Sequence, residues 1–157
     1  RNEPGLKSAR EKLFRARGGR ARPICDDKVL ASWNGLMISA LSRTYSLTGN
    51  VRWREAAIRA TTFLLDNLFR DGRLLRRYRD GEAAFEACLE DYAYLIDGII
   101  ELALAAGDVT LIARARELQA CQDAALWDEG VGAYFTSSGA DLIVKKYEFT
   151  DGALPIA

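Results

Sequence analysis

Apolar residues in this chain recur at three- and four-residue steps over long stretches, as one face of a helix requires. Between residues 27 and 47 the series is Val29, Leu30, Trp33, Leu36, Met37, Ala40 and Leu41. Gly49 then supplies the residue after a helix that tolerates positive φ, and Asn50 suits the cap of the next one. A second helix follows, with Trp53, Ala56, Ala57, Ala60, Phe63, Leu64 and Leu68 on its apolar face. The grammar returns downstream. A helix over 88–106 ends at Gly107, and Asp108 can cap a successor that buries Leu111, Ile112, Ala115, Leu118 and Leu126. Asn34-Gly35-Leu36-Met37 and Asp97-Gly98-Ile99-Ile100 are read as matching places, as are Thr48-Gly49-Asn50 and Ala106-Gly107-Asp108. Two helical hairpins about 60 residues apart predict a helical array, mainly α, with the chain as one partial α/α toroid domain of about two and a half hairpin units.

Short alternating segments separate the hairpins. Residues 74–79 run into Asp80-Gly81, a tight-turn dipeptide, and then Ala83-Ala84-Phe85, so a β hairpin is expected there. A later hairpin is expected from residues 133–136, the turn Ser137-Ser138-Gly139 and residues 142–144. Leu6, Ala9, Leu13 and Phe14 stand at helical spacing near the start, and Gly18-Gly19 ends that helix.

Composition narrows the chemistry more than the fold. Apolar residues make up 49% and charged residues 28% of 157, which suits one globular domain. Lys+Arg and Asp+Glu are equal at 22 each, so neither nucleic acid nor an anionic membrane is an expected partner. A local basic patch runs through Arg10, Lys12, Arg15, Arg17, Arg20 and Arg22. No apolar run approaches the ~20 residues of a membrane span. The chain opens on Arg1 and is read as a fragment or a processed product. Cys25, Cys88 and Cys121 are widely spaced without a C-x-x-C, and read as reduced thiols of a cytoplasmic protein. There is no histidine, which removes Ser-His-Asp and Cys-His catalysis and the usual imidazole metal ligands. No metal or cofactor is expected, and acid–base work falls to carboxylates, Lys, Tyr or Cys.

Acidic residues recur where the first helix of each hairpin begins: Asp26-Asp27, then Glu90-Asp91, with Asp151 ahead of a third. If those ends face a common rim, Asp27, Glu90 and Asp91 form a carboxylate cluster suited to glycoside chemistry. Capping is the competing explanation, since carboxylates satisfy free N–H groups at helix starts. Asn34 falls seven residues after Asp27, about 10 Å along one helix face, and bonds either a neighbouring helix or a ligand. Trp33 is either core or a surface that stacks on a sugar. Glu90, Tyr94, Asp97 and Glu101 form an acidic ribbon, while Asp91 lies nearer the apolar side and needs Lys28 or a hairpin arginine as partner. Arg76, Tyr78 and Arg79 are placed to overhang the rim.

Five blocks carry a resemblance. They are Arg22-Pro23-Ile24-Cys25-Asp26-Asp27-Lys28-Val29-Leu30, Trp33-Asn34-Gly35-Leu36-Met37, Tyr78-Arg79-Asp80-Gly81, Leu89-Glu90-Asp91-Tyr92-Ala93 and Asp151-Gly152-Ala153-Leu154-Pro155. In that order they resemble the spermatogenesis-associated, thioredoxin-domain-containing family. Members carry a thioredoxin-like domain followed by a six-hairpin α/α toroid similar to N-acylglucosamine 2-epimerases and six-hairpin glycosidases. The chain corresponds to a central part of that toroid, without the thioredoxin domain, and departs from the pattern at Ile156-Ala157. The resemblance implies sugar-related chemistry. The epimerases move protons with histidines, which this chain lacks. The leading expectation is therefore a carbohydrate-binding or glycoside-processing domain. Asp27, Glu90 and Asp91 are its candidate catalytic residues, and Trp33, Asn34, Tyr78, Arg79 and Tyr92 its candidate contacts to a small carbohydrate. The rival expectation is a non-catalytic scaffold that forms homo-oligomers through exposed hairpin ends.

Overall fold

The computed structural model describes residues 4–23, 25–139 and 146–147. A helix α1 (Pro4–Gly18) leads, and its Leu6, Leu13 and Phe14 are exposed. Two α/α hairpins follow: α2 (Ala31–Thr48) with α3 (Val51–Leu68), and α4 (Leu89–Ala106) with α5 (Val109–Leu126). A strand β1 (Val29–Leu30) precedes α2. Strands β2 (Phe69–Arg70), β3 (Arg73–Arg79) and β4 (Glu82–Glu86) join the two hairpins, and β5 (Trp127–Asp128) and β6 (Ala133–Tyr134) follow α5.

All four hairpin helices contain 18 residues, and each element of the first hairpin recurs 58 residues later, Ala31 as Leu89, Val51 as Val109 and Phe69 as Trp127. The turns obey the expected chemistry. Gly49 and Gly107 take left-handed φ values of 66° and 68°, and each donates its N–H back into the helix, to Tyr45 and Ala103. Asn50 and Asp108 accept the N–H groups of Arg52 and Thr110, which caps α3 and α5.

Two expectations are corrected. The first helix begins at Ala31 rather than near Asp27, because Val29 and Leu30 are extended and pair with Tyr78 and Arg77 of β3. Two apolar residues fit a strand as well as a helix face, and the sheet register decides between them. Trp127 pairs with Tyr134 and Asp128 with Ala133, a ladder that the sequence reading did not anticipate ahead of the expected later hairpin. Residues 142–144 and Asp151 lie outside the described residues. Finally, Asn34-Gly35 and Asp97-Gly98 stand 63 residues apart by number, out of step with the 58-residue repeat, and are not equivalent. They meet each other instead.

That meeting sets the packing. A Cβ built on Gly35 would lie 2.4 Å from the Tyr94 carbonyl, and one on Gly98 would lie 2.5 Å from the Gly35 carbonyl oxygen. Two glycines thus bring the parallel helices α2 and α4 into backbone contact, with α3 packed against α2 and α5 against α4. Ile38, Leu64, Leu68, Leu95, Ile99, Leu102, Leu118 and Leu126 fill the space between the layers. Burial of each such side chain contributes about 1.5–3 kcal/mol. The sheet lies across one end, in the order β1-β3-β2 with β4 on the β3 edge and every pairing antiparallel. Asp80-Gly81 turns the β3–β4 hairpin with φ of 51° and 83°, as a two-residue primed turn requires.

Candidate functional site

The beginnings of α2 and α4 lie side by side under the β3–β4 hairpin, and a carboxylate joins them. Asp91, third residue of α4, has no exposed surface. One of its oxygens accepts the Cys88 N–H at 2.9 Å, which caps its own helix. The other accepts the Ser32 N–H at 3.2 Å, from the first turn of α2. The residue preceding α2 is Leu30, which has no side-chain acceptor to offer, so the cap for that helix comes from its neighbour. The negative charge also sits at two positive helix ends.

Arg76 of β3 covers this junction. Its guanidinium lies 3.0 Å from Glu90, 3.8 Å from Asp91 and 2.8 Å from the Cys88 Sγ. Burial works against the Arg76 charge, but Asp91, Cys88 and Glu90 outweigh it and hold its pKa above the ordinary arginine value. Burial pushes the Cys88 thiol up, and Arg76 offsets part of that. Cys88 is therefore a thiol at neutral pH, held as an acceptor. Glu90 is half-exposed and is the accessible carboxylate of the group. Burial, then the Glu90 charge, raises the pKa of Tyr94 one turn further along α4.

Asp27 belongs to a second cluster. It is exposed, and its carboxylate meets Arg79 at 2.9 Å, with Asp80 also 3.3 Å from Arg79. Arg76 and Arg79 are three residues apart on one strand, and a strand directs such side chains to opposite faces. Asp27 on one side, and Glu90 with Asp91 on the other, are thus not drawn into a common acid–base pair. Lys28 pairs with Asp26 at 3.2 Å rather than with Asp91.

The expected sugar contacts separate similarly. Tyr92 is buried, and its oxygen accepts the Leu74 N–H at 3.1 Å, away from any rim. Tyr78 packs edge-on against Phe63 at 5.1 Å between ring centres. The Asn34 amide turns back to the Leu30 carbonyl at 2.8 Å, locally rather than to another helix. Trp33 is 64% exposed. It projects roughly 200° around α2 from Gly35, so it cannot join the α2–α4 contact. The sequence reading missed Ser32 and Cys88, whose parts are played by a backbone N–H and by a weak acceptor. Only the arginine in register above them signalled that junction. Among the described residues no three His, Cys, Asp or Glu side chains stand close enough to hold a metal ion, and no helix is long and apolar enough to cross a membrane.

Comparison with known proteins places this arrangement. No family model matches the chain. It is 37% identical over 165 residues to spermatogenesis-associated protein 20 of Homo sapiens, over 97% of this chain and 21% of that protein. The chain is related to spermatogenesis-associated protein 20. The Mus musculus protein of the same name is 36% identical over the same shares, and an uncharacterized protein of Caenorhabditis elegans is 32% identical over 98% of this chain. The chain spans about a fifth of the length of these relatives of spermatogenesis-associated protein 20 type. Among solved structures, the GH76 alpha-mannanase of Bacteroides thetaiotaomicron superposes with a TM-score of 0.64 at 16% identity, over 83% of this chain and 40% of that one. At that identity the likeness is one of fold. The two hairpins here are an arc of an α/α toroid.

Proposed function

We propose that the chain contributes part of a carbohydrate-binding mouth, at the end of the toroid where α2 and α4 begin. One observation carries the reading: the half-exposed Glu90 carboxylate, fixed by Arg76 at 3.0 Å in the first turn of an inner helix. A carboxylate held by a guanidinium accepts sugar hydroxyls on its free lone pairs while the arginine donates to others. Trp33 presents an exposed aromatic face at the same end of the neighbouring helix. The fold likeness to an alpha-mannanase supports sugar as the ligand class. Binding is favoured over hydrolysis for this chain, because Asp91 is enclosed and Asp27 is engaged on the other face of β3. A titration with α-mannan oligosaccharides tests it. Glu90→Gln and Trp33→Ala should each weaken binding about tenfold, roughly 1.4 kcal/mol, with no release of reducing sugar from the unmodified chain. Binding indifferent to both substitutions would remove the reading.

A second reading rests on the exposed apolar flanks of the arc. Met37, on the side of α2 turned away from α4, and Leu47, near the end of α2, are 56% and 87% exposed, and Leu104 on α4 is 73% exposed. Such flanks suit self-association, with one copy's α2 laid against the next copy's α4 in continuation of the α2–α4 packing. Sedimentation velocity separates the two readings, since Leu104→Glu, on α4 and far along it from Glu90, should reduce association and leave sugar binding intact.

A further inference from the structure

A cavity of about 310 Å³ opens between the β2–β3 turn and the last turn of α5. It lies at the Arg73–Leu74 end of β3, opposite the Tyr78–Arg79 end, and Arg76 and Glu90 do not line it. The volume stands at the lower end of the range for small-molecule sites. Its apolar wall comes from Leu74, Ala87 and Ala125, and its polar wall from Arg73, Glu86 and Tyr92.

The polar groups set unequal demands. Tyr92 is only 3% exposed, and its oxygen already accepts the Leu74 N–H. Among the described residues nothing accepts the phenol's own O–H. A buried donor in that position costs free energy until an acceptor arrives. Glu86 takes the Ser138 hydroxyl on one oxygen and stands 3.7 Å from Arg73 on the other, too far for a good hydrogen bond, so it retains lone pairs for incoming O–H donors. The Arg73 and Glu86 charges cancel, which favours a neutral occupant over an ion. Apolar surface on the facing wall favours a ring with a C–H face.

We infer that this cavity is a second binding site, for a small neutral cyclic polyol such as a single sugar ring. An oxygen of the ligand accepts from Tyr92, its hydroxyls donate to Glu86, and its C–H face lies on the α5 alanines. The site is independent of the Glu90 mouth.

Saturation-transfer NMR with myo-inositol, with cyclohexanol as a ring of similar size lacking neighbouring hydroxyls, tests it on the unmodified chain and three variants. Myo-inositol should show transfer and cyclohexanol much less. Glu86→Gln, at an exposed side chain, and Ala125→Phe, which fills the cavity from an exposed helix position, should each reduce the myo-inositol signal about tenfold with unchanged far-ultraviolet circular dichroism. Glu90→Gln should leave it unchanged. Absence of transfer, equal transfer to cyclohexanol, survival in both cavity variants or loss in Glu90→Gln would each overturn the inference. The last outcome would return the ligand to the mouth.

Discussion

Asp91 and Glu90 are adjacent, and their environments divide the work between them. The Asp91 carboxylate ends two helices at once, accepting the Cys88 N–H in its own helix and the Ser32 N–H in the next. Asp91→Ala leaves a buried N–H at Ser32 and a part-buried one at Cys88 without that acceptor, at about 1–3 kcal/mol each. Chemical denaturation should show a loss of about 3 kcal/mol or more, and amide exchange at Ser32 and Cys88 should accelerate most. A change close to zero would return Asp91 to the candidates for chemistry. Tyr134 offers a pH test at the same scale. Its hydrogen bond to Asp123, then burial, pushes the phenol from 10 to about 12. A folded pKa above the unfolded value contributes stability that is complete below pH 10 and is lost as pH rises through about 12. Tyr147, bonded to Asp128, is pushed to about 12 as well. Phenolate absorbance during alkaline titration should therefore contain a component near 12 that loses the Tyr134 share of its amplitude in Tyr134→Phe and in Asp123→Asn, and keeps the Tyr147 share.

At the level of elements, the hairpin is an 18-residue helix, a glycine, a cap and a second 18-residue helix, repeated after 58 residues. What fastens one repeat to the next is less regular. Gly35 and Gly98 come from different places in their helices and meet because α2 faces forward to α4 while α4 faces back to α2. Gly35→Ala gains about 1 kcal/mol in helix propensity. Its new methyl would stand 2.4 Å from Tyr94 backbone, which cannot move as a side chain can. The steric cost should win. Thermal unfolding is expected to show a net loss at or beyond the ~1–3 kcal/mol usual for overpacking, whereas Gly49→Asn, at a left-handed but open position, should cost far less. A stabilised Gly35→Ala would mean that the two helices are not in backbone contact.

Across the whole molecule, the two hairpins form an arc whose flanks carry exposed apolar side chains, Met37 on one and Leu104 on the other. Pure chain is expected to sediment with a concentration-dependent mean mass, and Met37→Glu or Leu104→Glu should shift it toward 17.4 kDa. A concentration-independent monomer in the unmodified chain would leave the flanks without a role in association. Elements with local causes could be read directly along the chain: helix faces, Gly49 and Gly107, the Asn50 and Asp108 caps and the Asp80-Gly81 turn each depend on residues within a few positions of one another. Val29 and Leu30 could not be placed that way, because their strand exists only through Tyr78 and Arg77, about 50 residues on. Nor could the mouth. Acidic helix starts were legible as a pattern, yet only packing encloses Asp91, leaves Glu90 in solvent and turns Asp27 to the far face with Arg79. Short-range spacing determined the elements because backbone geometry is local. Tertiary structure decided what each carboxylate can touch, because burial and hydrogen-bond partners come from residues distant in the chain.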